Sequence, residues 1–149
     1  MTEQEKQLLI KDLCARLPYG VKCDINGEQC EVVWINPDRM WVYLRKENGH
    51  GGRYSIARGD SPKPYLRLMS NMTEDERNEM KKMLCPTGTG SFDEECLIIP
   101  MSHFGDKIHY DFMSRILEWL NARYFDHRGL IEMGLAFEAP EGMYKIKTK

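Results

Sequence analysis

Residues 21–56 read VKCDINGEQCEVVWINPDRMWVYLRKENGHGGRYSI. Four runs of strand-type residues are separated by three turn signals: Asn26-Gly27, Asn36-Pro37-Asp38-Arg39, and the glycine-rich residues 47–52. Asn-Gly is the strongest short hairpin signal, because a two-residue type I′ turn needs positive φ at both central positions. Placing the pair at the tip fixes the register: Ile25 faces Glu28, Asp24 faces Gln29, Cys23 faces Cys30 and Val21 faces Val32. Side chains alternate along a strand and opposed residues share a face. Val21, Cys23, Ile25, Cys30, Val32 and Trp34 are therefore expected on the core face, with Lys22, Asp24, Gln29 and Glu31 on the other. That second face turns apolar further along, at Val33 and Ile35.

A third strand over 40–45 sends Met40, Val42 and Leu44 one way and Trp41, Tyr43 and Arg45 the other; residues 53–56 form a short fourth strand. The result is an antiparallel β-meander with both faces partly apolar. Either it curls into a small barrel, or helices from the C-terminal half cover its second face.

Helices flank the meander. Thr2 with Glu5 is a capping box, opening a helix to about residue 17 whose apolar stripe is Leu9, Ile10, Leu13, Cys14 and Leu17. Pro18 and Gly20 end it. Residues 61–64 read as an extended linker and 65–68 as one more strand. Thr73 with Glu76 is a second capping box, for a helix to about residue 84. A loop is expected over 85–91 and a short apolar run over 97–101. The longest helix is expected over 107–123, with Phe112, Met113, Ile116, Leu117, Leu120 and Tyr124 as its stripe. A helical turn over 128–133 stops at Gly134, and the basic tail from Tyr144 is expected to fray. The fold class is α+β, in a single domain over 1–149: an N-terminal helix, a four-stranded meander and two or three later helices.

The bulk properties remove several function classes. With 149 residues and a net charge of −2, the chain has no basic excess to mark a nucleic-acid-binding protein globally. Its five cysteines are an odd number without CxxC spacing, which indicates neither a disulfide framework nor a zinc ribbon. The N-terminus carries acids where a signal peptide carries bases, and no apolar run is long enough to span a membrane. The expected compartment is the cytoplasm. Cys23 and Cys30 fall on a hydrogen-bonded pair, at a Cα separation of about 5.5 Å that a disulfide tolerates, but the reducing compartment favours two free thiols.

No constellation carries chemistry. His50, His103, His109 and His127 form no i, i+4 pair and no HExxH pattern, so no metal is expected. The 47–52 loop lacks the Gly-Lys-Ser/Thr ending of a P-loop, no GxSxG is present, and no cofactor is indicated. Arg58-Gly59-Asp60 spells a cell-adhesion tripeptide and is read as chance. What remains is a binding surface. If Trp41 and Tyr43 lie on the outer face of the meander, Arg45, His50, Arg53 and Tyr54 surround them. Aromatics with arginine compose protein-binding hot spots and also single-strand stacking platforms. The competing reading is that C-terminal helices simply cover Trp41 and Tyr43.

The C-terminal half carries a likeness. KPYLRLMSNMTEDE at 63–76, EWLNARYFDHRGLI at 118–131, and the continuation through GLAF at 134–137 to EAPEGMY at 138–144 resemble segments of a family of small accessory proteins encoded in phages and mobile elements of gut bacteria. That resemblance implies a setting; the segments carry no known chemistry, so no functional residue is transferred. The expected function is that of a non-enzymatic accessory protein acting by protein–protein interaction, with a nucleic-acid-binding module as the alternative.

Overall fold

A computed structural model describes residues 1–84 and 106–145. The chain forms two compact units, one of Met1–Met69 with Leu120–Lys149 and one of Ser70–Trp119.

The first unit holds the sheet. Helix α1 (Glu3–Arg16) opens with the expected capping box: Thr2 N–H donates to Glu5 Oε2 at 2.6 Å, and Glu5 N–H donates to Thr2 Oγ1 at 3.2 Å. Strands β1 (Lys22–Ile25), β2 (Glu28–Asn36), β3 (Trp41–Lys46) and β4 (Gly51–Ser55) form the antiparallel meander. Strand β5 (Lys63–Leu66) pairs antiparallel with β1, and the two-residue β6 (Phe137–Glu138) pairs parallel with β5.

The sheet is therefore six-stranded, mixed and open, in the order β4-β3-β2-β1-β5-β6, and it is not a barrel. The reason is topological. The free side of β1 is taken by β5, so among the described residues β4 has no strand to close on and is an edge. Pro64, which lacks a ladder donor, sits within β5 opposite Cys23 rather than in a linker.

The Asn26-Gly27 register holds: Cys23 pairs with Cys30 and Ile25 with Glu28. Asn26 and Gly27 have φ of 57° and 82°, as a type I′ turn requires. Leu9, Ile10 and Leu13 of α1 pack on Val21, Cys23, Ile25, Val32, Val42 and Leu44, so α1 covers one face of the sheet.

One expectation is overturned inside β2. The register shifts between Val32, opposite Leu44, and Trp34, opposite Tyr43, and Val33 is the extra residue between them. This β-bulge inserts one residue and reverses the alternation beyond it. Trp34, expected in the core, is 47 % exposed beside Val33 at 40 %, and Ile35 turns inward instead.

A polar cluster ties α1 to the chain beyond α3 (Asp106–Ala122). Asp12 and Arg16, one helical turn apart, are both fully buried and bridged at 2.8 Å. Arg16 Nη2 also donates to Phe125 O at 2.9 Å, and Arg128 Nη1 donates to Asp12 Oδ1 at 2.7 Å. The backbone N–H groups of Leu130 and Ile131 donate to the Asp126 carboxylate at 2.9 and 2.8 Å.

At the end of α3, Tyr124 takes a left-handed φ of 61°; Tyr124 N–H donates to Asn121 O and Phe125 N–H to Leu120 O. A glycine usually occupies this position at a helix end. Here the Tyr124 ring stacks on Tyr144 at 3.5 Å between centroids, and its hydroxyl donates to Tyr19 O. Tyr144 is thus bound, not frayed as expected. Its hydroxyl accepts from Lys22 N–H at 3.1 Å and donates to Tyr65 O at 2.9 Å, filling the gap where β1 and β5 separate.

In the second unit, helix α2 (Glu74–Leu84) starts with the second capping box: Glu76 N–H donates to Thr73 Oγ1 at 3.2 Å, and Thr73 N–H donates to Glu76 Oε2 at 2.9 Å. Along α3 and just beyond it, Ile116, Leu120 and Tyr124 of the expected stripe are buried, whereas Leu117 is exposed and Trp119 is buried in its stead. The loop at 85–91 and the apolar run at 97–101 lie outside the described residues.

Candidate functional site

The face of the sheet away from α1 carries the exposed aromatic residues. Cross-strand partners share a face, so Trp41 with Ser55, Tyr43 with Arg53, and Arg45 with Gly51 all point outward. Trp34 joins them opposite Tyr43. The same face continues across β1 and β5 through Lys22, Asp24, Lys63 and Tyr65 to Phe137.

Of the six residues expected at a binding surface, four come together here. Tyr43 is 38 % exposed. Trp41 is half-buried beneath two guanidinium groups, Arg53 at 4.1 Å and Arg39 at 5.1 Å from its ring centroid. Arg45 is exposed and pairs with Glu31 at 2.7 Å. The other two lie elsewhere. Tyr54 pairs with Val42 and packs against the core face, and His50 is exposed at the hairpin end opposite Lys46.

Val33, Trp34 and Arg39 also belong to the surface; the sequence places Val33 on this face without assigning it to the site, puts Trp34 on the core face and gives no signal for Arg39. The signal at Val33 and Trp34 was weak: Val32-Val33-Trp34-Ile35 is an unbroken apolar run, which a simple alternation cannot assign to two faces. Arg39 sits in the β2–β3 turn, where Asn36 Oδ1 accepts from its N–H at 3.0 Å.

The glycines of the β3–β4 hairpin have structural duties. Gly49 turns the loop at φ 83°. Gly51 already lies in β4, and the Tyr43 ring lies against it. Asp60, third residue of Arg58-Gly59-Asp60, accepts from Ser55 N–H at 2.6 Å and so secures the end of β4.

Other clusters offer less. His127 sits beside Asn121 at 2.9 Å and Arg128 at 3.2 Å; burial, then the Arg128 and Arg16 charges, lower its pKa to about 4. It is a neutral ring serving the Asp12–Arg16–Arg128 cluster. Burial pushes the Cys23 thiol up to about 12, with Cys30 and Asp24 adding to it, so at neutral pH it is not a nucleophile. Both Cys23 and Cys30 are free thiols. An open groove of about 860 Å³ runs along α1 past Gln4, Gln7, Lys11 and Cys14 to Pro37. Among the described residues no three His, Cys, Asp or Glu side chains converge as a metal set, and no helix is long and apolar enough to cross a membrane. Comparison of the chain with protein-family models, with curated proteins and with solved structures finds no match.

Proposed function

We propose that the chain is a non-enzymatic accessory protein of a mobile element that docks another protein on the outer face of its sheet. One observation carries this reading: the β2 bulge brings Trp34 out opposite Tyr43 with Val33 next to it in the chain, all three exposed. Clustered exposed aromatics are what interfaces use as anchors. Covering the exposed parts of these side chains removes on the order of 200 Å² from water, about 5 kcal/mol gross before the costs of association. Arg39, Arg45 and Arg53 form a charged rim around them.

A nucleic-acid strand is the second reading, favoured by the guanidinium groups of Arg39 and Arg53 beside an aromatic strip. Affinity capture from a gut-bacterial lysate, with and without nuclease, separates the two. A protein that stays bound after nuclease and in raised salt supports the first. Captured material that is nuclease-sensitive and weakens steeply with salt replaces it with the second.

A further inference from the structure

The β3–β4 ladder fixes where the edge strand directs its backbone. At its two ends Lys46 N–H donates to His50 O at 2.8 Å, and Ile56 N–H donates to Met40 O at 3.0 Å. Hydrogen-bonded and non-bonded pairs alternate along an antiparallel ladder. Gly52 and Tyr54 therefore bond to β3, while Gly51, Arg53 and Ser55 turn their N–H and C=O groups away from it. Ser55 shows the outward direction directly: its N–H donates to Asp60 Oδ2 at 2.6 Å and its C=O accepts from Asp60 N–H at 3.1 Å. Asp60 thus takes up the outward groups of Ser55, one through its backbone N–H and one through its carboxylate. The equivalent groups of Arg53 and Gly51 have no partner among the described residues.

Toward its Gly51–Arg53 end this edge is flanked by cations, the Asp60 carboxylate lying at the Ser55 end. Arg45 and Lys46 are paired with Glu31 and Glu28. Arg39 and Arg53 flank Trp41 without a carboxylate partner among the described residues. An edge strand with unpaired backbone groups templates an extended chain, and two unneutralised guanidinium groups beside it favour carboxylates.

Building on the reading that a protein docks on the outer face, we propose that its docking segment is an extended acidic peptide that adds to the β4 edge. It exchanges backbone hydrogen bonds with Arg53 and Gly51 and sets an acidic side chain beside Arg39 and Arg53. A second copy of this chain fits less well. Antiparallel pairing centred on Arg53 places two guanidinium groups directly opposite, which destabilises the pair. Pairing centred one residue earlier sets residue 49 of each hairpin against Ser55, where Asp60 already lies.

The probe is a fluorescein-labelled nonapeptide alternating Glu and Val, read by anisotropy. Two controls accompany it: the same peptide N-methylated at alternate residues, and one with Lys for Glu. Arg53→Pro removes an outward N–H but no bond to β3, while Arg53→Thr removes the cation and keeps the N–H. Losing two backbone hydrogen bonds weakens binding about tenfold, so that loss is expected for the N-methylated peptide, and Arg53→Pro is expected to bind several-fold worse than Arg53→Thr. The Lys peptide is expected not to bind. Absence of saturable binding to the unaltered chain, equal binding of the N-methylated peptide, or equal effects of the two Arg53 variants overturns the proposal. So does binding of a single-stranded oligonucleotide in the peptide's place. If Arg53→Pro does not fold, the N-methylated peptide against the unaltered chain decides. A partner that is lost on Trp34→Ser while the peptide arms fail leaves the docking reading standing and removes this one.

Discussion

The Tyr43 ring lies across the backbone of Gly51, so close that a Cβ at residue 51 would sit 2.5 to 2.8 Å from three of its atoms. The two are neighbours on the outer face, Gly51 opposite Arg45 and Tyr43 opposite Arg53. Gly51→Ala is expected to push the exposed end of the ring aside and leave the backbone in place. The lost contact is offset by the smaller entropy of the unfolded chain, so stability changes by less than about 1 kcal/mol. Urea denaturation checks this, and the Tyr43 ring resonances should shift by far more than those of Val42 or Leu44. A large loss of stability would mean that Tyr43 is fixed by more than this contact.

Asp12 and Arg16 form a fully buried pair that Arg128 joins. Removing one partner strands the others without a counter-charge. Asp12→Ala is expected to cost about 3–5 kcal/mol in urea unfolding. Replacing all three residues, Asp12→Leu with Arg16→Met and Arg128→Met, should recover most of that loss, because apolar residues of similar volume leave no charge of the cluster stranded.

His127 makes the fold sensitive to acid. Its pKa in the folded chain is about 4, below the ordinary value of 6.5, because burial and the Arg128 and Arg16 charges oppose protonation. Between those two values the unfolded chain binds a proton that the folded one does not. Its contribution is therefore intact above pH 6.5, falls as pH drops toward 4, and changes no further below that. For a half-exposed ring screened by solvent the loss is about 1–2 kcal/mol. Stability measured at intervals across this range should show the slope, and His127→Gln should flatten it.

The Tyr144 hydroxyl substitutes for a ladder bond between Lys22 and Tyr65. Tyr144→Phe keeps the ring stacked on Tyr124 but leaves two backbone groups without their partner. The expected cost is about 1–2 kcal/mol, with the Lys22 amide exchanging its hydrogen faster. Unchanged protection of that amide would contradict the role assigned to the hydroxyl.

Local chemistry was legible in the sequence wherever one or two residues decide the conformation. Asn26-Gly27 set the β1–β2 register to the residue, and both Thr/Glu capping boxes formed. Features set by distant partners were not legible. The β2 bulge has no residue signature in an all-apolar run, so Trp34 was assigned to the wrong face. Asp12 and Arg16 sit on the buried side of α1 beside Leu9 and Leu13, yet their partner Arg128 lies 116 residues away from Asp12. β6 is two residues long and pairs with β5 from across the chain, too short for any periodicity to reveal. Trp41, Tyr43, Arg45 and Arg53 were grouped correctly on one face because they follow simple alternation along β3 and β4. Tyr54 obeys the same alternation, which turns it to the core face.

If Trp34 and Tyr43 anchor a protein partner, removing the Trp34 ring releases it. The unaltered chain and its Trp34→Ser variant are used as bait, nuclease-treated, and the captured proteins are quantified by mass spectrometry. Trp34 is half exposed, so the variant is expected to lose about 1–3 kcal/mol from the buried half of the ring, and urea unfolding of both chains accompanies the capture. A partner present in stoichiometric amount on the unaltered chain and reduced about tenfold or more on the variant is the predicted result. A partner held equally by both, with the variant folded, would contradict the account.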